Sequence, residues 1–433
     1  MSTRWDSCLA ALQAHGRLPS VVAGVLQGGE LVWTGAVGGS LEDRYRIGSI
    51  TKTLTAVVVL QARDEGLLSL DDPIGLMLPE CGYPDVTVRQ LLAHTGGLPS
   101  EPAGPWWERA PGVDFATLVA SSDGSRAVSG PGDFHYSNVG FALLGEAVAR
   151  LHGVTWWDLV SLRVLIPLGM HHTSYDDAAP AARGWSVDHF AGTLTPEPHP
   201  DTGAMAPAGQ LWSTVADLSA FAVFLADGHP DVLSRESVTE MAQPTSATYG
   251  LGTWLLELPE LPGRRLVGHP GSMPGFQSSL FVDPATHDGV VVLASATTGL
   301  DTDTVPGLFL GERALEPLEE WVPTEVVPAG VRDLLGLWFW GNSAVEVRWH
   351  NEQLHLRSAA RHRLTDVFEL GESGIVGTWG YHRGERLRVH RRRDRTVSHL
   401  ECATFVYTRT PYDPSVPVPG GHPTADAASS LIR

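Results

Sequence analysis

Arg46-Ile47-Gly48-Ser49-Ile50-Thr51-Lys52-Thr53-Leu54-Thr55-Ala56 is the stretch that decides how this chain is read. Lys52 is the only lysine, since 29 of the 30 basic side chains are arginine. A composition that avoids lysine accounts for the arginines and leaves the exception to be explained. Arginine stays charged at any ordinary pH, whereas a lysine amine can be pushed neutral by its surroundings and then accept a proton. Lys52 is therefore read as a base. Gly48 breaks the preceding segment, and Ser49-Ile50-Thr51 leads into an apolar-periodic run through Leu54, Val57, Val58 and Leu60. That pattern predicts a helix beginning at Ser49. Side chains three apart on a helix share a face, with Cβ atoms about 5–6 Å apart. Ser49 and Lys52 would then open on one pocket, where a desolvated amine can activate a hydroxyl that is a weak nucleophile by itself. A bare S-x-x-K pattern also fits a capped helix, so the reading needs partners.

Two later segments supply them. Gly132-Asp133-Phe134-His135-Tyr136-Ser137-Asn138 precedes an amphipathic helix carrying Phe141, Leu143, Leu144, Ala147, Val148 and Leu151. Tyr136-Ser137-Asn138 therefore falls on the loop leading into that helix. A tyrosine there can relay a proton, and an asparagine can hold a substrate amide or the lysine; the tripeptide also fits a capping turn with Asn138 as the cap. Arg264-Arg265-Leu266-Val267-Gly268-His269-Pro270-Gly271-Ser272 reads as a strand ending in a glycine-flanked loop, with further strands over 276–281 and 289–294. A glycine such as Gly271 lets backbone approach a substrate closely.

In this order, S-x-x-K at Ser49 and Lys52, Y-S-N from Tyr136 to Asn138, and H-x-G from His269 to Gly271 resemble the class C β-lactamase and penicillin-binding-protein family of serine hydrolases. The stretches 88–98 and 209–218 resemble it as well, and the likeness covers about residues 10–300. The resemblance implies a β-lactamase/transpeptidase-like fold of the α/β (α+β) class, an antiparallel sheet plus a helical region. It implies Ser49 as nucleophile and Lys52 as its base or proton partner. Tyr136 would share the relay and protonate the leaving group, while Asn138 would orient Lys52 and the substrate. His269 stands where many relatives have lysine, Gly271 and Ser272 would flank the substrate, and the N–H groups of Ser49 and Ser272 would form the oxyanion hole. One departure is Pro270, which occupies a position where relatives that bind a free carboxylate usually carry a hydroxyl. That weakens a carboxylate-binding role and leaves esterases, D-residue peptidases and acyltransferases in view. The implied activity is cleavage or transfer of a peptide amide, ester or thioester through an acyl-Ser49 intermediate, without metal or organic cofactor. A stand-alone penicillin-binding-protein-type thioesterase that cyclises a nonribosomal peptide is one alternative, and a catalytically idle ligand-binding relative is another.

The rest of the chain bounds these readings. Its 433 residues, 43% hydrophobic, have room for one large domain and a smaller one. The expected division is 1–311 catalytic, 312–330 linker, 331–410 β-barrel and 411–433 a disordered tail. A net charge of −19 argues against nucleic acid as partner. No window approaches about 18 uncharged apolar residues, so no membrane partner is expected. The absence of an apolar leader points to the cytoplasm. Cys8, Cys81 and Cys402 are too few and irregular for a disulfide framework. Helices are expected over 3–15, 52–65, 88–93, 138–151, 155–163 and 214–226, and strands over 20–26 and 31–36.

In the breaker-rich loop 96–112, Trp106 and Trp107 would either line a substrate groove or anchor the loop. The stretch 175–205 reads as unstructured, and its His189 and His199, with His171 and His172, lack metal-ligand spacing and read as solvated. Past residue 312 an acidic, proline-containing segment gives way to short strands expected over 344–349, 353–357, 365–370, 375–379, 387–393 and 398–407. This part resembles the lipocalin-like C-terminal domain that many members of the family carry. Residues 332–409 hold 13 Arg and 9 acids, a balance of +4, against −22 for residues 1–331. The two parts would attract each other, or an acidic partner. Arg391-Arg392-Arg393 could dock an acidic carrier protein beside a small-molecule or peptide substrate, or be a solvated face.

Overall fold

The computed structural model describes residues 4–128, 132–312, 318–372 and 374–411. The described chain forms two compact units. One comprises the chain up to Ser186 together with Pro196–Val322, and the other Val187–Thr195 together with the chain from Pro323 on.

The first unit is built on a six-stranded antiparallel sheet in the order Glu30–Val37, Val21–Gln27, Gly289–Ala294, Phe276–Val282, Leu266–Met273, Trp254–Leu256. Its inner strands are rich in valine and buried along their length, because both faces are covered. The Val215–Asp227 helix packs on one face, where Gly24 meets Val215. The Arg4–Gly16 and Val305–Leu310 helices cover the other, where Gly35, one register step away, meets Leu9. Beside the sheet lies the helical region. The Ile50–Asp64 helix is buried from Ile50 through Ala62, all the way round, and packs against the Asn138–His152 helix. That second helix is capped by Ser137, whose hydroxyl accepts the Gly140 N–H, and ends at Gly153 with φ +68°. The cap is thus Ser137 and not Asn138, which is already helical.

The expected helices appear within a few residues of their expected bounds. Short helices at Phe115–Ala120, Ala206–Gly209 and Arg235–Met241 were not expected, being too brief for a 3.6-residue period to show. The motif around His269 differs in kind. The strand runs on through Met273, so His269-Pro270-Gly271-Ser272 lies within it and not in a loop. Trp254–Leu256 pairs with it only over Leu266–Gly268, and from His269 onward its partner strand is Phe276–Val282. Pro270 therefore stands where one edge of the strand is open, the place a sheet tolerates a missing N–H.

The start of the Ile50–Asp64 helix comes against this open edge. A Cβ on Gly48, which has φ +51°, would lie 2.5 Å from the Ser272 nitrogen, and one on Gly271 would lie 2.1 Å from the Ile47 carbonyl oxygen. Backbone meets backbone there with no room for a side chain.

In the second unit eight antiparallel strands close a barrel: Gly336–Trp340, Ser343–His350, Gln353–Ser358, Arg363–Gly371, Gly374–Gly380, Arg386–Arg391, Val397–Cys402 and Phe405–Thr408. Trp338, Leu354, Leu356, Phe368 and Leu400 fill its core. The first strand was not expected, and 398–407 proves to be two strands. They turn at Ala403-Thr404, with Ala403 at φ +52° and no Gly or Asn to announce the turn. The excursion Val187–Thr195 belongs to this unit: Phe190 accepts the Trp349 N–H at 2.8 Å and Gly192 accepts the Thr324 N–H at 3.0 Å. Within the basic run, Arg391 pairs with Asp333 and Arg392 donates to the Val397 carbonyl at 3.4 Å. The expected tail after 411 lies outside the described residues. Among the described residues no helix is long and apolar enough to cross a membrane.

Gly271→Ala should destabilise the protein by about 1–3 kcal/mol, the range for overpacking a tight site. Chemical denaturation would measure it, and an unchanged midpoint would refute the claimed fit of Gly271 against Ile47.

Candidate active site

Ser49 opens the Ile50–Asp64 helix with φ −67° and ψ −8°, and its hydroxyl makes no capping bond to the helix. It stays partly exposed between the buried Gly48 and Ile50. The hydroxyl is thus left for other partners. Lys52 Nζ lies 2.9 Å from Ser49 Oγ, and Ser49 is near enough to the Tyr136 phenol to act on its proton affinity. Lys52 itself is fully buried, donates to the Ala208 carbonyl at 2.6 Å, and lies 5.0 Å from the Tyr136 ring centroid.

Burial sets the protonation of both neighbours. It disfavours charge, so it takes the Lys52 amine down to about 7, against the opposing pull of Glu101 and Glu108. The same burial pushes the Tyr136 phenol well above its ordinary range, with Ser49 acting the other way. Near neutrality, then, a sizeable fraction of the amine can accept a proton while the phenol still carries one. An amine that can take a proton and a phenol that can give one lie beside one hydroxyl.

Four further residues complete the surroundings, and the sequence assigned none of them a role. His94, buried at φ +56°, accepts the Ser137 N–H on Nδ1 at 3.0 Å and lies 4.2 Å, centroid to centroid, from the Tyr136 ring. Burial first, then the Lys52 charge, holds its imidazole well below the usual range. Its only signal in the sequence was its place in the 88–98 stretch. Tyr249 packs against His94 and bonds His269. Glu101 and Glu108 come from the 96–112 loop and carried no signal at all. Glu101 accepts from Trp107 Nε1 at 2.6 Å, and Glu108 from Trp106 Nε1 at 2.7 Å. Trp107 is buried and ties down its loop, whereas Trp106 is exposed. Burial raises the Glu108 carboxyl above the usual carboxylate range, with the Glu101 charge adding to it.

Two expected contacts turn out differently. Asn138 Nδ2 donates to Glu101 Oε1 at 2.8 Å and makes no bond to Lys52. His269 is fully buried, with Nδ1 at 2.6 Å from the Pro270 carbonyl and Nε2 at 3.0 Å from the Tyr249 hydroxyl. Since a carbonyl only accepts, Nδ1 carries the proton and Nε2 takes the tyrosine O–H. Burial lowers this imidazole to about 3, helped by the Lys52 charge, so His269 is a neutral wall and not a stand-in cation. Ser272 meets Gly48 through its backbone, which brings the N–H groups of Ser49 and Ser272 to neighbouring backbone segments. In the 175–205 stretch, His199 is not solvated: it is half-buried edge-on against Trp212, with the rings 5.1 Å apart.

A profile of the beta-lactamase family matches residues 5–311, and a domain of unknown function (DUF7586) matches residues 327–409. Penicillin-binding protein 4 of Amycolatopsis lactamdurans is 30% identical over 360 residues, 75% of this chain and 91% of its own. Beta-lactamase-like protein 2 of Dictyostelium discoideum is 28% identical over 253 residues, covering 53% of this chain; the match spans 46% of that longer protein. Among solved structures, a D-stereospecific amidohydrolase from Streptomyces superposes with a TM-score of 0.60 and 28% identity, over 70% of this chain and 99% of its own.

With the amine titrating near 7, kcat/KM for a serine-reactive ester should rise about tenfold per pH unit below that value and level off above it. Lys52→Arg keeps the charge and loses the base, and should cost about 10²–10⁴-fold. A flat profile between pH 5 and 9, or near-wild-type turnover in Lys52→Arg, would remove Lys52 from the proton transfer.

Proposed function

The chain belongs to the beta-lactamase family, and from that premise we propose that it is a serine amidohydrolase acting, through acyl-Ser49, on substrates that present a free ammonium group. The observation that carries this reading is the charge around the nucleophile. Glu101 and Glu108 act electrostatically on Lys52. His269, by contrast, is neutral, and Pro270 offers neither a hydroxyl nor an N–H. Such a site attracts a cation and gives a carboxylate little to bind. Likeness to the Streptomyces D-stereospecific amidohydrolase supports amide chemistry at a D-residue.

The steps follow from the geometry. Ser49 Oγ attacks the carbonyl carbon as its proton passes to the Lys52 amine, 2.9 Å away. The oxyanion rests on the N–H groups of Ser49 and Ser272, a kind of contact worth about 2.7–4 kcal/mol in the transition state. The Tyr136 phenol gives its proton to the leaving nitrogen as the C–N bond breaks, and Lys52 returns one to the phenolate. Water then attacks the ester carbon and loses its proton to Lys52, which passes it to Ser49 Oγ as the C–O bond breaks, releasing the acid and restoring the amine.

A second reading rests on the same acidic pair, which would also seat the substrate's own amino terminus as acceptor in place of water. The enzyme would then cyclise an activated peptide, as a penicillin-binding-protein-type thioesterase does. Product mass separates the two, since a ring is lighter than the acid by one water.

The test compares a short D-residue amide or thioester carrying a free amine with its N-acetylated twin, using Ser49→Ala as the blank. Acetylation should lower kcat/KM at least tenfold, and Glu101→Gln should cost the free amine more than the acetylated form. Equal turnover of the two substrates would sink the ammonium-binding reading, and turnover by Ser49→Ala would sink the acyl-enzyme.

A further inference from the structure

The barrel unit holds a separate cluster on the strands Arg386–Arg391 and Val397–Cys402. Their register sets His390 directly opposite His399, and Arg388 opposite Glu401. Side chains alternate along a strand. With Leu387, Leu400 and Cys402 buried in the barrel core, His390, His399 and Glu401 share the outer face.

The three converge closely. The two imidazoles stack with centroids 4.2 Å apart and planes 6° from parallel. His390 Nε2 meets Glu401 Oε2 at 2.9 Å, and one donor atom from each residue lies within 4.8 Å of the other two. Glu401 and His399 each have a contact outside the cluster as well. Arg388 Nη1 donates to the other glutamate oxygen, Oε1, at 2.9 Å. His399 Nδ1 lies 3.2 Å from Ser398 Oγ. His390, bonded through Nε2, can carry its proton on Nδ1 instead. Ligands oriented by such outer partners are the usual form of a metal site.

We propose that His390, His399 and Glu401 bind a divalent transition-metal ion of the zinc type. On binding, the His390 proton moves to Nδ1, and the Nε2–Oε2 hydrogen bond gives way to one metal bond from each atom. Tetrahedral zinc, with bonds of about 2.0–2.2 Å, needs its ligand atoms about 3.3 Å apart. The observed 2.9 Å between Nε2 and Oε2 has to open by a few tenths of an ångström, and because an imidazole lone pair lies in its ring plane, one of the two parallel rings has also to turn out of the stack to face the shared ion. Two nitrogens and one oxygen suit zinc or copper, and not the all-oxygen shells of magnesium and calcium. Three protein ligands leave a fourth position for water or an outside group. Arg388 competes for Glu401, but it holds Oε1 and leaves Oε2 to the ion.

Calorimetric titration of the chelator-treated full chain with Zn²⁺, repeated with Co²⁺ while watching its visible absorption, is the test. One ion per chain is expected, with affinity at least tenfold weaker in His390→Ala and in His399→Ala, and no heat with Mg²⁺. Glu401→Gln, which keeps the side chain's size, should also weaken binding. The substituted positions are on the outer face, so thermal unfolding without metal should match the wild type. Wild-type chain that takes up no zinc, or a His390→Ala/His399→Ala double variant that keeps the full isotherm, would overturn the proposal.

Discussion

An amine taken out of water loses the hydration that keeps it charged, and the site around Ser49 depends on that loss at Lys52. The Ile50–Asp64 helix is buried on every side. A lysine three residues after the exposed end of such a helix has nowhere to send its ammonium, so Nζ turns to the Ser49 hydroxyl and the Ala208 carbonyl. Its affinity for protons falls to about 7, where it can take one from the hydroxyl and return it. The same dry surroundings hold the Tyr136 phenol protonated and His94 and His269 neutral. Glu101 and Glu108 are carboxylates that act on the Lys52 amine beside Ser49.

That arrangement requires the sheet and the helical region to meet at backbone distance. Gly48 and Gly271 permit it, by the left-handed turn of the first and the missing side chain of the second. The open edge of Leu266–Met273 beyond Gly268 then presents the Ser272 N–H beside that of Ser49. His94 supports the other side by holding the Ser137 N–H and lying against Tyr136. Fold and site are therefore joined at two contacts, one of backbone on backbone and one of ring on ring.

Much of this was legible in the residues. A sole lysine three positions after a serine at a helix start, with a tyrosine loop and a glycine-flanked strand downstream, was enough to place Ser49, Lys52 and Tyr136 together. Tertiary contact decided what could not be read. Asn138 turns to Glu101 because a loop some 37 residues earlier brings that carboxylate to it. His269 loses its charge to burial, which no local pattern reveals. The Pro270 segment was read as a glycine-flanked loop; it is strand, and the proline is tolerated because the neighbouring strand stops short of it. In the barrel, the Ala403-Thr404 turn adopts a positive φ without glycine, so two strands looked like one. His399 and Glu401 share a strand face at i, i+2, but His390 joins them only through cross-strand register, which no local pattern reveals.

The central claim is that the Lys52 amine is neutral near physiological pH, and the chain provides its own probe, because its one lysine gives one side-chain signal. Protein labelled with carbon-13 lysine should show a single ε-carbon resonance whose titration follows the amine directly. The account predicts a midpoint near 7. A midpoint at the ordinary lysine value of about 10.4 would contradict it, and with it the assignment of Lys52 as the base.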